Sequence, residues 1–496
     1  MDVADDAEFD VVVAGGGPSG ATIAAAVAKR GHRVLVLDSA RFPRYQIGES
    51  LLPSTIHGVC RLIGASEAIA NAGFVRKRGG TFRWGSSPDP WTFLFSVSER
   101  MAGPTSFSYQ VERMKFDKIM LDNARSAGAQ VREQCTATRV IDEGERAVGL
   151  WYSDAHGVEH LVRARYVVDA SGNRSRIYKS VGGTREYSQF FRNLALFGYF
   201  ENGKRLPGPD AGNIFCSAFG KGWFWYIPLS ATMTSVGAVI HRDLASEVQG
   251  DPEKMLYKLI GECPHIADLL ADATRITAGE YGQVRVRKDY SYHQSRFWRP
   301  GMVLVGDAAC FVDPVFSSGV HLATMGALLA ARSINSALDG VLSEDVLFNE
   351  FELRYRHEYQ VFYKYLMSFY AMNVDKESYF WEARKITGRN HSELEAFVEL
   401  VGGVSSDEFE LSSAEAMARD ISSESNELGS AVQTMVESGA DSMQPLLKAS
   451  GFVQAFQESE KVLARAQLGG KFTTEQPLTG GALISSKDGL AWVPAE

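Results

Sequence analysis

A βαβ unit at the N-terminus constrains this chain most. Phe9-Asp10-Val11-Val12-Val13-Ala14 is a short, β-branched apolar run that reads as a buried strand. Gly15-Gly16-Gly17-Pro18-Ser19-Gly20 follows at once, and Ala21 to Arg30 is alanine-rich and helical. Gly31-His32-Arg33 is the stop, and Val34-Leu35-Val36-Leu37 is the second strand. The G-x-G-x-x-G spacing therefore falls on a strand-to-helix turn. Gly15 allows the tight turn, Gly17 lets a pyrophosphate approach the backbone, and Gly20 lets helix and strand pack closely. The helix N-terminus, opened by Pro18 and Ser19, presents backbone N–H groups to the phosphates. Asp38 ends the second strand, at the spacing of a carboxylate on an adenosine ribose. Dinucleotide binding is expected; the bland alternative is a glycine-rich turn in an unrelated α/β fold.

The 496 residues suffice for two or three structural units around a large shared core. A net charge of −9 argues against nucleic acid as the main partner, since phosphate binding needs a basic surface. The acidic start Met1 to Asp6 is not followed by a signal-peptide pattern. No apolar run is long enough to span a bilayer. The cysteines (Cys60, Cys135, Cys216, Cys263, Cys310) are scattered without a C-x-x-C pair, so reduced thiols in a cytoplasmic protein are expected and no metal site is.

A second motif separates FAD from NAD. Val303-Leu304-Val305 runs as a strand into Gly306-Asp307-Ala308-Ala309; Asp313-Pro314, Ser317-Ser318-Gly319-Val320 and a helical stretch from His321 to Leu338 follow. With Val111-Glu112-Arg113 ahead of Phe116-Asp117, and Val167 to Gly172, this resembles the flavin monooxygenase superfamily. The resemblance implies FAD contacts from Glu49, Arg113, Gly306, Asp307, Pro314, Gly319 and Val320, in addition to the N-terminal turn. In that superfamily the aspartate holds the ribityl-pyrophosphate region and the last glycine turn abuts the isoalloxazine.

The run Gly222-Trp223-Phe224-Trp225-Tyr226-Ile227-Pro228 carries more aromatics than a core strand needs. Lys77 taken alone is one of three adjacent cations with Arg76 and Arg78, the pattern of a solvated face. Yet Gly48-Glu49-Ser50-Leu51-Leu52-Pro53, Lys77 before Gly79-Gly80-Thr81-Phe82-Arg83-Trp84, and W-x-W-x-I-P together resemble the flavin-dependent halogenases, in which the lysine is essential. Phe42 to Ser50, Asp307 to His321 and Ser378-Tyr379-Phe380-Trp381 are most similar to the halogenases of glycopeptide-antibiotic biosynthesis.

That resemblance implies chlorination of a tyrosine or β-hydroxytyrosine ring on a peptide-synthetase carrier protein. FADH2 from a separate flavin reductase would react with O2 to give a flavin hydroperoxide, which chloride converts to hypochlorous acid. By motif position, Ser318 and Gly319 hold chloride, since glycine turns form anion-binding concavities. Lys77 would hydrogen-bond the hypochlorous acid, or form a chloramine, and aim chlorine at one ring carbon. Trp223, Trp225, Ile227 and Pro228 would wall the flavin from the substrate; their spacing of two also fits one buried strand face. Tryptophan halogenases carry a glutamate two residues after the motif proline; here Phe316 stands there, which points away from tryptophan and leaves the general base unnamed.

The expected architecture is α/β: an FAD-binding Rossmann-like module of the monooxygenase type over 1–345, with a substrate-side sheet at about 80–110 and 185–290. A mostly helical region covers 346–496. The aromatic stripe Phe348 to Tyr370 repeats at three and four residues and reads chiefly as a packed helix face. The acidic segment 405–443 reads as a lid or a loose helical pair, and the tail from Gly480 as an extended strand with turns. His57, His293 and His321 read as structural, and Cys310 as a small buried residue. Arg285, Arg287, Lys288, Arg296 and Arg299 are candidates for a basic patch facing an acidic carrier. The competing readings are a flavin-dependent aromatic hydroxylase or related reductase using NAD(P)H, and a flavin-binding docking protein without activity.

Overall fold

The computed structural model describes residues 8–85, 88–97, 104–188, 190–288, 290–371 and 483–494. Ser378 to Trp381 and the segment 405–443 lie outside the described residues. The N-terminal βαβ unit forms as read, with strands Phe9–Ala14 and Val34–Asp38 parallel and in contact. They belong to a parallel run ordered Met302–Leu304, Glu159–Asp169, Phe9–Ala14, Val34–Asp38, Gln130–Glu133. Thr136–Glu143 and Arg146–Ser153 add antiparallel strands to this sheet, beside the first half of Glu159–Asp169.

Helix Pro18–Ala28 is buried along its whole length, which explains its alanine and glycine content. A Cβ on Gly20 would stand 1.8 Å from the Gly15 carbonyl oxygen, so the third motif glycine is a packing requirement. Gly15 has φ +102° and would also strike the Ala170 carbonyl oxygen, at 2.4 Å.

A second, mostly antiparallel sheet is ordered Thr274–Arg275, Asn193–Glu201, Met233–His241, Gly222–Pro228, Ile214–Phe219, Gly79–Arg83, Trp91–Leu94, with Arg285–Lys288 also paired to Asn193–Glu201. Its two faces enter different cores. Trp223, Trp225 and Ile227 point into the main core. Phe224 and Tyr226 point the other way, into a smaller core closed by helix Pro252–Gly261. The strand's parity thus corrects one expectation: Pro228 ends the strand off the face that carries Trp223, Trp225 and Ile227.

Two long helices complete the described chain, Ser318–Leu338 and Glu344–Ala371. The first begins three residues before the expected His321, because Ser317 at φ +62° closes the short turn Pro314–Phe316 and starts the helix at once. The tail forms a hairpin, Leu483–Ser485 with Trp492–Pro494. It docks on the first long helix through Asn335 Nδ2 to Leu490 O (2.7 Å) and Trp492 N to Ser336 Oγ (2.8 Å). All five cysteines are free and buried. Among the described residues no helix is long and apolar enough to cross a membrane, and no cluster suits a metal ion.

Candidate active site

A cavity opens between the two sheets, bounded by the strap Gln46–Ser50, by Trp223, Trp225 and Ile227, and by the Pro314–Val320 turn. The strap is held from behind. Arg113 donates Nε and Nη2 to the Asp117 carboxylate at 2.7 and 2.9 Å, and Nη1 to Ile47 O at 2.6 Å and Gly48 O at 3.2 Å. Most of its donors are thereby committed to the strap and to Asp117, so Arg113 shapes the cavity through backbone it holds. Asp38 works in the same way: its carboxylate accepts Gly16 N at 2.6 Å and Ala40 N at 2.8 Å, which fixes the glycine loop.

Glu49 lines the cavity and is 2% exposed. Tyr199 donates its hydroxyl to Glu49 Oε1 at 2.7 Å, and the Ser235 hydroxyl is a second, longer-range donor to the carboxyl, whose Oε2 is buried. Burial outweighs the favourable contacts and pushes the carboxyl up to about 7. Asp307, at the far side, is pushed up to about 6 by burial against the pull of Arg113, Arg287 and Arg185. Gly306 sits at φ +62° with its Cβ direction only 2.7 Å from Ser19 Oγ, which ties the second motif to the first.

Lys77 is 2% exposed, between the exposed Arg76 and Arg78. Strand alternation in Val75–Lys77, paired with Ser108–Gln110, turns this one cation inward. Its ammonium donates to Leu51 O at 3.1 Å and Ser317 Oγ at 3.2 Å and lies 5.7 Å from the centre of the Phe95 ring. Burial without a carboxylate partner lowers its pKa to about 7. One residue past Ser317, the backbone N–H groups of Ser318 and Gly319 open the 21-residue helix. Ser318 Oγ is buried there without a hydrogen-bond partner among the described residues, and a Cβ on Gly319 would strike the Phe311 ring at 2.6 Å. The turn is thus a compact, donor-rich concavity beside the amine.

Trp223 donates Nε1 to the Tyr370 hydroxyl at 2.6 Å, and Tyr370 donates on to Asp313, whose carboxylate also accepts Asn193 Nδ2 at 3.0 Å. Trp225 donates to Ser235 Oγ at 3.1 Å. Phe316 packs against Phe369 (4.5 Å between ring centres) and Phe82 (6.0 Å), so an aromatic cluster stands where a carboxylate would be in tryptophan halogenases.

Ser317, Tyr370, Asp313, Asn193 and Tyr199 escaped sequence reasoning as site residues. Ser317 and Asp313 lie inside the motif quoted, and Tyr370 closes the aromatic stripe assigned to core packing. The histidines are structural: His57 Nε2 meets Phe107 O at 2.8 Å, and His321 bridges Ser54 Oγ (2.9 Å) and Glu358 (2.7 Å) in full burial. That Ser–His–Glu chain is sealed from any substrate. Arg299 is tied to Asp142, Ser180 O and Glu145 O, and Arg285 to Glu280, Gln283 O and the face of Tyr45, so neither is a free member of the expected basic patch.

A model of the tryptophan halogenase family matches residues 10–103 and 97–428. The chain belongs to this family. The halogenase is 49% identical to the myxobacterial chondrochloren halogenase CndH, a variant of FAD-dependent halogenases; the match covers 98% of this chain and 99% of that one, with a TM-score of 0.77. It is 32% identical to the flavin-dependent halogenase CmlS, over 86% of this chain and 79% of that one, at a TM-score of 0.70. It is 34% identical to a tryptophan 2-halogenase of Chondromyces crocatus over 391 residues, 78% of this chain and 72% of that one. The protein is therefore an FAD-dependent halogenase of aromatic substrates, and the hydroxylase and docking-protein readings fall away.

The residues present fit FAD. Space above Gly17 is bounded only by the end of the Arg44 side chain, and the turn beside the cavity carries Ser318 Oγ, buried without a hydrogen-bond partner among the described residues. Gly15, Gly17 and Gly20 with the helix N-terminus would hold the diphosphate. The strap, Asp307, Pro314, Gly319 and Val320 would frame the ring system.

Proposed function

We propose that this halogenase chlorinates the phenolic ring of tyrosyl or β-hydroxytyrosyl groups carried on a peptide-synthetase carrier protein, using reduced flavin from a separate reductase. One observation carries the reading: a buried amine, Lys77, hydrogen-bonded to Ser317 Oγ one residue before a donor-rich turn. FADH2, held by these residues, would give two electrons to O2, and the peroxide-level oxidant so formed would take two more from chloride, yielding hypochlorous acid and water. The Ser318 and Gly319 N–H groups hold the anion. Lys77, neutral in a large fraction of molecules near pH 7, hydrogen-bonds hypochlorous acid, or its amine takes the chlorine as a chloramine while the Cl–O bond breaks and the oxygen leaves as water with the amine proton. Trp223, Trp225 and Ile227 fill the space in front of the cavity, which favours passage of a small oxidant over direct transfer to substrate.

A phenol suits this site because it supplies its own ring activation. The position two residues after Pro314 holds Phe316, packed on Phe369 and Phe82, so a substrate must react without a carboxylate at that point. The carrier-bound form rests on the similarity of Phe42 to Ser50 and Asp307 to His321 to glycopeptide halogenases. The test is mass spectrometry after reaction with FADH2, O2 and chloride on carrier-loaded tyrosyl peptide, free tyrosine and tryptophan. Chlorine on the loaded peptide alone is the expected result. Equal turnover of free tyrosine overturns the carrier, and turnover of tryptophan overturns the phenol. NAD(P)H alone is expected to leave the bound flavin oxidised.

A further inference from the structure

The wall in front of the cavity is made of the side chains that give up single electrons most readily, and it ends on a base. Trp225 and Trp223 both line the cavity, with their ring centres 6.2 Å apart. Trp223 donates its indole N–H to the Tyr370 hydroxyl at 2.6 Å, so the indole and the phenol are joined by one hydrogen bond. Tyr370 in turn lies 3.2 Å from both oxygens of the Asp313 carboxylate. All three rings are buried. Bulk alone calls for leucine or phenylalanine. What distinguishes this wall is Asp313: a phenol loses an electron easily only where its proton has a base to go to. The neighbouring rings lack that exit. Trp84, 6.1 Å from Trp223 and 5.6 Å from Tyr370 between ring centres, donates its N–H to the peptide oxygen of Phe369. Tyr292, also at the cavity, donates to the peptide oxygen of Asp307 at 2.6 Å. A peptide oxygen does not keep a proton. Tyr199 does meet a carboxylate, Glu49, but its ring packs on Tyr45 and Tyr281, while the indole N–H groups of the wall go to Tyr370 and Ser235.

We propose that Trp225, Trp223 and Tyr370 form a relay for single electrons, which light sets in motion when oxidised FAD fills the cavity. An electron passes from the Trp225 indole to the photoexcited oxidised flavin. Trp223 refills Trp225, and Tyr370 refills Trp223 as its hydroxyl proton moves to the Asp313 carboxylate. The net change is one electron from Tyr370 to the flavin and one proton from Tyr370 to Asp313. No other bond is made or broken, and return of the electron restores the starting state. Each forward hop joins neighbours in contact, whereas the direct return must cross the whole wall, so the separated state outlives the first radical pair. The relay moves the oxidising hole off the two indoles that stand in front of the flavin, which are then not left as radicals open to O2. The proposal rests on FAD occupying this cavity and is independent of which ring is halogenated.

The test is transient absorption after a blue-light pulse on the oxidised, FAD-loaded protein, taken from gel filtration with its flavin retained. In the wild type a tryptophan radical is expected first, giving way to a tyrosyl radical. The second step is expected to be slower in D2O than in H2O, because it moves a proton. Tyr370→Phe is expected to stop at the tryptophan radical, with loss of the tyrosyl signal and a faster return to the starting state. Trp225→Phe leaves the link from Tyr370 to Asp313 in place and is expected to lengthen the flavin fluorescence lifetime and lower the radical yield. It keeps the relay testable if Tyr370→Phe does not retain flavin. Absence of a tyrosyl radical in the wild type, or an unchanged flavin lifetime in Trp225→Phe, overturns the relay. So does an undiminished tyrosyl yield in Tyr370→Phe, which would put the hole on another tyrosine of the cavity such as Tyr290 or Tyr292. Equal rates in D2O and H2O overturn the role of Asp313 as the base.

Discussion

The Trp223 indole N–H donates to the Tyr370 hydroxyl at 2.6 Å, which fastens the strand in front of the flavin cavity to the last turn of helix Glu344–Ala371. Both side chains are fully buried, and Tyr370 passes its own hydrogen to Asp313 at 3.2 Å, at the head of the turn that leads to Ser318 and Gly319. Wall, turn and C-terminal helix are thus one hydrogen-bonded unit. Tyr370→Phe leaves the indole N–H without its acceptor and Asp313 without one donor. A loss of about 1–3 kcal/mol in stability is expected from urea denaturation. A variant as stable as wild type would show that this link does not hold the wall.

The wall leans on a glycine. A Cβ on Gly237 would stand 2.3 Å from the Trp225 ring and 2.6 Å from Phe197 Cβ, and both neighbours line the cavity. Gly237→Ala is expected to push Trp225 toward the flavin and weaken FAD binding by about tenfold, within the about 1–3 kcal/mol typical of overpacking. Adding Trp225→Phe should relieve the clash and restore part of the affinity in a fluorescence titration. Equal binding by Gly237→Ala and wild type would mean that the ring has room to retreat.

His321 joins three elements through buried contacts, Ser54 on one side and Glu358 on the other. His321→Ala removes the buried hydrogen bonds to Glu358 and Ser54 Oγ. Leaving a buried polar group without its partner costs about 1–3 kcal/mol, so chemical denaturation should show a loss of this size, accompanied by a lower melting temperature. A loss below about 1 kcal/mol would indicate that solvent reaches Glu358.

What the sequence disclosed follows from range. The βαβ unit and the second glycine turn are local patterns, and both formed where the spacing put them. Lys77 could be singled out only through distant motifs, since three adjacent cations look alike until strand Val75–Lys77 is paired and alternation buries the middle one. Tyr370, Asn193 and Tyr199 carry no local signal. Each acquires its role from a partner across 120 or more positions: Tyr370 with Trp223, Asn193 with Asp313, Tyr199 with Glu49. Parity within Gly222–Pro228 is legible in the sequence and puts Pro228 on the face opposite Trp223 and Trp225, which W-x-W-x-I-P taken as one block conceals.

Lys77→Ala is expected to bind FAD with wild-type affinity and to give no chlorinated product. Lys77→Arg is the sharper variant. It keeps a charge and donors, but a guanidinium does not lose its proton in this range. If neutral amine is required, Lys77→Arg is as inactive as Lys77→Ala, and the wild-type rate rises with pH through about 7. Chlorination by Lys77→Arg at the wild-type rate would show that a cation alone suffices.

The same lysine should weaken the fold near neutrality. Its pKa is about 7 in the folded protein against 10.5 for the exposed group. Between those values the unfolded chain holds a proton that the folded chain lacks, so raising the pH favours folding throughout that window. The gain is up to about 1.4 kcal/mol per pH unit. Below about 7 both states carry the charge and the burial cost is present in full. Lys77→Met has no such titration. The stability of wild type relative to Lys77→Met should therefore rise with pH from about 7 toward 10.5, as measured by urea denaturation of the flavin-free proteins. The buried thiols of Cys60, Cys216 and Cys310, raised by burial, act in the opposite sense at alkaline pH. Cys60 and Cys310 are common to both proteins and cancel in the difference; Cys216 interacts with Lys77 and so gives only a secondary correction. A difference that stays flat across the window would place Lys77 in contact with water and remove the physical basis for its neutral form.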